Sequence, residues 1–166
     1  MAYSDRFIST DNLIINLTPY LSTITDSAIL ASYAGFLSVS SITVYELAIK
    51  DIFSDFATRK HLVFGHFVEK YLSRINGQIK LGDLKGNQIK VFGGKYLQKF
   101  ETSVNSKEAL YLLSHGKSLK SSYDNLIICR HVFVHRGNPT LTINEVVDNY
   151  HIGKEIIHSL FDSMKR

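Results

Sequence analysis

Pro19 and Pro139 are the only prolines in the 166 residues, and the stretch between them carries apolar side chains at three- and four-residue steps. Few helix breakers combined with that period leave an all-helical domain as the leading expectation. The spacing predicts a first helix over 10–34, capped by Thr10 or Asp11 and ended early or kinked at Pro19. A second, over 36–59, sets Phe36, Val39, Ile42, Val44, Leu47, Ile49, Ile52, Phe53 and Phe56 on a surface wider than one stripe, as in a central helix or one that also serves a dimer contact. Its Ser, Thr and Val content makes a strand over 38–44 the competing expectation. A third helix is expected over 62–75.

Glycine then takes over. Gly77, Gly82, Gly86, Gly93 and Gly94 punctuate alternating apolar and basic residues, which predicts loops with a short helix over 95–100, or else a small hairpin. Ser106 is expected to cap a helix to Ser114. The next helix should run over 123–135 and stop at Gly137 and Pro139. Thr142 and Glu145 form a capping-box pair, so a last helix is expected over 144–164.

These elements make one domain over 1–166, and 45% hydrophobic residues suffice for a single core. The single cysteine, Cys129, rules out an intramolecular disulfide framework; it sits among Leu126, Ile127 and Ile128 as a core residue would. No uninterrupted apolar run approaches the ~20 residues of a membrane span, and the first residues lack a signal-peptide pattern. No membrane partner and a cytoplasmic location are expected.

Chemistry concentrates in the helix before Gly137. His131 and His135 are i and i+4 neighbours on one face, and Arg130 borders that face. Two imidazoles beside a guanidinium offer a proton donor, a proton acceptor and an anion clamp within about one turn. RNA cleavage through the 2'-hydroxyl needs that set: one imidazole takes the 2'-OH proton, the other protonates the leaving 5'-oxygen, and the arginine holds the phosphate as charge builds. This chemistry needs no metal and no cofactor. His135 lies in the last turn, where the helix dipole favours an imidazolium. A zinc site would need His115, His151 or His158 as further ligands, and the chain has no Cys pair or His-Glu-x-x-His. Phosphate-binding, serine-elbow and dinucleotide fingerprints are absent as well.

Arg130-His131-x-x-x-His135 resembles the motif of the HEPN superfamily, whose active members are metal-independent endoribonucleases, and Arg136-Gly137 resembles the turn that ends HEPN motif helices. The chain up to Lys60 looks like the long N-terminal helices of the RiboL-PSP-like prokaryotic HEPN branch, with the stretch from Ser41 to Ala48, and Glu46 within it, where that branch carries a helix-borne Glu. The resemblance implies an antiparallel helical bundle with a Gly/Lys-rich loop or small insertion around 77–95. It also implies a homodimer whose two motif helices form one composite site. The function it implies is a toxin or effector of a toxin-antitoxin or phage-defence system that cuts transfer or messenger RNA, with an antitoxin or defence protein as a possible partner. HEPN toxins silenced by nucleotidyltransferase antitoxins carry a tyrosine two residues after the motif histidine; Gly137 stands there, so the resemblance does not extend to that modification. The alternative is a non-catalytic HEPN dimer, an RNA-binding adaptor in a larger defence complex.

Around the motif, Glu46 either orients Arg130 or a motif histidine, or faces water. Tyr123 and Asn125 either meet a base or pack. The net charge of +4 leans towards a polyanion. Arg74, Lys80, Lys85, Lys90, Lys95 and Lys99 stand against the single acid Asp83, and Lys117, Lys120, Arg130 and Arg136 against Asp124. If both stretches share a face they form a basic channel, with Arg136, Lys117 and Lys120 as RNA contacts; otherwise they are two solvated surfaces.

Overall fold

A computed structural model describes residues 2–73 and 77–165, and all regular structure among them is helical. After a 3-10 turn (Tyr3–Phe7) come α1 (Ile8–Leu21), α2 (Ser27–Lys60), α3 (Leu62–Leu72), the single turn α4 (Leu81–Asp83), α5 (Gly94–His115), α6 (Leu119–Arg136) and α7 (Ile143–Met164). Between α4 and α5 the chain winds through a π-turn (Leu84–Gln88) and a 3-10 turn (Ile89–Phe92).

The expected break near Gly35 is absent, and α2 runs unbroken for 34 residues. The break falls earlier. Pro19 sits in the last turn of α1, which stops at Leu21, and the Asp26 carboxylate restarts the helix by accepting from the Ala28 and Ile29 amides at 2.8 and 3.4 Å. The hydroxyl-rich middle is helical, not a strand: Ser38, Ser41 and Thr43 donate to the carbonyls of Gly35, Leu37 and Val39 in their own helix. By length and composition α2 could cross a membrane, although no single apolar run in it is that long. Here it is the central helix, packing against α1, α3, α6 and α7.

His61, which carries no motif, ends α2 in extended backbone and caps α3, its Nδ1 accepting from the Val63 amide at 3.2 Å. α3 stops at Leu72, and Ile75, expected in that helix, lies outside the described residues. The hairpin alternative for 77–95 gives way to helical turns. They are tied down by buried Gln88, whose amide donates to the Gln78 carbonyl, and by Tyr123, whose hydroxyl donates to the Ile79 carbonyl at 2.6 Å.

The two short helices expected over 95–100 and 106–114 are one. Tyr96, Phe100 and Val104 form a buried i, i+4, i+8 stripe of α5, and Ser106 is an interior residue rather than a cap. Gly116, at φ +63°, ends α5, and Ser118 caps α6 by accepting from the Ser121 amide at 3.1 Å. Glu108 locks this corner, accepting from the Ser118 hydroxyl at 2.6 Å and the Lys120 amide at 3.0 Å. That cap is why α6 begins at Leu119, four residues before the expected Tyr123. The capping box at α7 forms as expected: Thr142 Oγ1 accepts from the Glu145 amide at 3.4 Å, and Glu145 accepts from the Thr142 amide at 2.8 Å. That amide holds the Glu145 carboxyl below the ordinary carboxylate value.

α2, α6 and α7 meet around three fully buried tyrosines. Tyr45 stacks on Tyr123 and on Tyr150, with both centroid distances 5.7 Å. Each hydroxyl has a carbonyl: Tyr45 donates to Tyr150, Tyr123 to Ile79 and Tyr150 to Phe7. Burial raises the phenol pKa values of all three. Cys129 is fully buried, as its apolar neighbours implied.

Candidate active site on the C-terminal half of α6

α6 presents a continuous stripe towards solvent. His131 and His135 are exposed, Arg130 and Val132 partly buried, and Arg136 exposed at the helix end. Gly137 follows at φ +76° with its amide on the Phe133 carbonyl at 2.8 Å, closing the helix where the sequence put its end. The two imidazoles are 4.5 Å apart between centroids and tilted by 58°. Among the described residues, none of Arg130, His131, His135 and Arg136 has a side-chain hydrogen bond or ion pair. These four side chains therefore share less than two helical turns with their hydrogen-bonding groups free for a ligand.

The helix carrying them is held tightly by apolar contacts. Phe133 points away from the histidines and packs over Gly35 of α2, where any Cβ would overlap its ring. Phe36 meets Phe133 edge-on at 5.5 Å. Glycine at position 35 lets the Phe133 ring lie directly on the α2 backbone at the level of the motif, and this contact was not legible from spacing. Next to the histidines lies an exposed apolar rim formed by Phe36 of α2 and Ile128 and Val134 of α6, each more than half exposed.

Other expected site residues lie elsewhere. Glu46 does not reach the motif within this chain: its carboxylate pairs with Lys50 at 2.7 Å and accepts from the Gly77 amide at 3.0 Å. Since Tyr45 stacks beside Tyr123, Glu46 sits level with the N-terminal half of α6, roughly seven residues or about 10 Å along the axis from Arg130. Lys117 and Lys120 stand at the opposite end of α6, about 22 Å from His135 along the helix. Lys117 pairs with Asp148 at 2.6 Å and Lys120 with Asn105 at 2.8 Å. The two basic stretches do not merge into one channel through them. Lys85 is paired with Glu101 at 3.4 Å, and Arg74 lies outside the described residues. Tyr123 is a packing residue, whereas Asn125 is exposed. On α7 His151 is exposed and His158 partly buried, and desolvation holds both below the ordinary imidazole value. His158 Nδ1 bonds the Tyr3 hydroxyl at 2.8 Å. Among the described residues, no three His, Cys, Asp or Glu side chains are grouped to hold a metal ion.

The family model described as RiboL-PSP-HEPN matches residues 5–166. The chain belongs to that family. No curated protein and no solved structure matches it. As a RiboL-PSP-HEPN member it joins a group in which nuclease activity is frequent, and its all-helical architecture accords with the membership.

Proposed function

We propose that this RiboL-PSP-HEPN chain is a metal-independent endoribonuclease that cleaves RNA by attack of the 2'-hydroxyl on the adjacent phosphate. The observation that carries the reading is the pair of imidazoles 4.5 Å apart, exposed and free of other partners, beside the unpaired Arg130. One imidazole removes the 2'-OH proton, the 2'-oxygen bonds to phosphorus, and the P–O5' bond breaks as an imidazolium gives its proton to the leaving oxygen. The products are a 2',3'-cyclic phosphate and a 5'-hydroxyl. Arg130 neutralises the charge gathering on the non-bridging oxygens, and Arg136 holds a neighbouring phosphate. The exposed apolar side chains of Phe36 and Val134 beside the motif support a homodimer in which two copies of the motif helix face each other and pool their histidines. In the cell we assign it to the cytoplasm, as a toxin or effector of a toxin-antitoxin or defence system acting on transfer or messenger RNA, under the control of a partner protein.

The test is incubation of the purified protein with labelled transfer RNA and a mixed single-stranded RNA in EDTA, beside His135→Ala of matched fold and oligomeric state. Cleavage by the wild type alone, leaving cyclic-phosphate ends, is the expected result. Binding without cleavage would replace the nuclease by an RNA-binding adaptor.

A further inference from the structure

Counting back from the histidines along the same stripe of α6, positions i−4 and i−7 relative to His135 are His131 and Ile128, and i−11 is Asp124. At about 100° per residue these four side chains fall within about 60° of one another, so they form one row on the helix. The upper end of that row opens into a cavity of ≈ 380 Å³ lined by Lys80, Leu81, Gly82 and Asp83 on one side and Asp124, Ile127 and Ile128 on the other. Its walls are fixed. Ile79, next to Lys80, is buried, and its carbonyl is held by the hydroxyl of Tyr123, next to Asp124.

The polar groups at this cavity are unspent. Asp124 is partly buried, and among the described residues its carboxylate has no hydrogen bond and no ion pair within 4 Å. Burial raises its pKa, and the nearby Lys80 charge opposes that rise. Asp83 accepts only a 3.5 Å contact from Asn87. Leu81 and Ile128 supply apolar surface, with Ile128 half exposed. A partly buried carboxylate without a donor favours a ligand that brings N–H groups. An ammonium beside it favours an acceptor next to those N–H groups. Of the four RNA bases, only guanine carries two adjacent N–H donors, N1–H and N2–H, flanked by the acceptor O6. Adenine and cytosine would turn ring nitrogen lone pairs towards the carboxylate, and uracil offers one donor between two acceptors.

We propose that this cavity is a base-reading subsite for an unstacked guanine of the RNA substrate, Asp124 accepting from N1–H and N2–H, Lys80 donating to O6, and Leu81 and Ile128 packing on the ring. This rests on the ribonuclease reading above and deepens it. Asp124 lies about 10 Å along the axis from His131, a span that two or three nucleotides cover at ~3.4 Å per stacked step. The guanine is therefore a near neighbour of the cleaved phosphate. RNA-binding sites commonly read splayed-out bases in this way, through their Watson–Crick edges.

The experiment uses the full chain as His135→Ala, to stop cleavage, and measures fluorescence anisotropy with hexaribonucleotides that differ at one position: guanine, inosine, adenine, cytosine or uracil. Guanine should bind ~10-fold more tightly than the others, and inosine, which lacks the N2 amino group, should lose most of that advantage. Asp124→Asn should erase the preference, and Lys80→Gln, at an exposed position, should weaken it without touching the core. Equal binding of all bases, or a guanine preference that survives both substitutions, overturns the subsite. GMP binding as tightly as the hexamer overturns the RNA assignment in favour of a free nucleotide. Product mapping with the wild type separates the two readings. Cleavage without base preference removes the subsite and leaves the nuclease, whereas a guanine preference in binding without cleavage by the wild type removes the nuclease and leaves the subsite.

Discussion

The two halves of α6 differ in how their polar groups are used. In the N-terminal half, Tyr123 is buried in the tyrosine stack, its hydroxyl bonded to Ile79, and the helix start is locked by Ser118 and Glu108. In the C-terminal half, Arg130, His131, His135 and Arg136 have no side-chain hydrogen bond or ion pair among the described residues, while Phe133 and Cys129 bind the helix to the core through apolar contact alone. A buried polar group without a partner destabilises the fold, and in the interior half the fully buried Tyr123 hydroxyl is bonded to the Ile79 carbonyl. Exposed groups lose nothing by staying unpaired, so the outer half can keep its donors and acceptors for a ligand. Apart from Asp124, which lines the cavity, one helix thereby separates holding from reacting.

If that division is right, substitutions in the two halves have different signatures. The largest effect is expected at the motif: His135→Ala should lower RNA cleavage by about 10²–10⁴-fold, with an unchanged thermal midpoint. Arg130→Lys should also damage cleavage although the charge is kept, because the planar fork is lost. A fall in cleavage that tracked a fall in stability would break the comparison. Tyr45→Ala is the counterpart, expected to cost about 3–5 kcal/mol in denaturant unfolding while cleavage per folded molecule persists. Gly35→Ala joins the two halves: the new Cβ must displace Phe133, costing about 1–3 kcal/mol and also lowering cleavage, since the motif helix moves with it.

A smaller effect is expected from pH. Burial, the foremost cause, holds His151 and His158 below the ordinary imidazole value of 6.5. The unfolded chain therefore takes up protons at a pH where the folded chain does not, so stability is complete above 6.5 and declines as the pH falls below it. The loss should be on the order of 1 kcal/mol or less per partly exposed histidine, read from urea midpoints at neutral pH and at about one to two units below 6.5. His158→Asn should flatten the dependence. The smallest effect is expected at Glu46, whose partners are Lys50 and Gly77. Glu46→Gln should cost less than about 1 kcal/mol and leave cleavage unchanged, and a large loss of cleavage would return Glu46 to the site.

Signals that act within a few residues were legible from sequence. Gly137 ends α6 because its positive φ suits only a residue without a side chain, and Thr142 with Glu145 starts α7 because a capping box needs four residues and no tertiary contact. The i, i+4 arrangement of His131 and His135 follows from helix geometry alone. Helix boundaries set by distant packing were misread. Gly35 looks like a breaker until Phe133 lies over it, and Ser106 looks like a cap until Tyr96, Phe100 and Val104 are seen as one buried stripe.

The sequence by itself therefore determined the helical class, the C-terminal end of α6, the start of α7 and the chemistry displayed near the end of α6, because each depends on local periodicity or capping. Tertiary structure alone decided that the Gly77 amide meets Glu46, that Lys117 and Lys120 are taken up by Asp148 and Asn105, and that Lys80 comes to rest beside Asp124. Those pairings join residues far apart in the chain, and packing rather than spacing fixes which side chains meet.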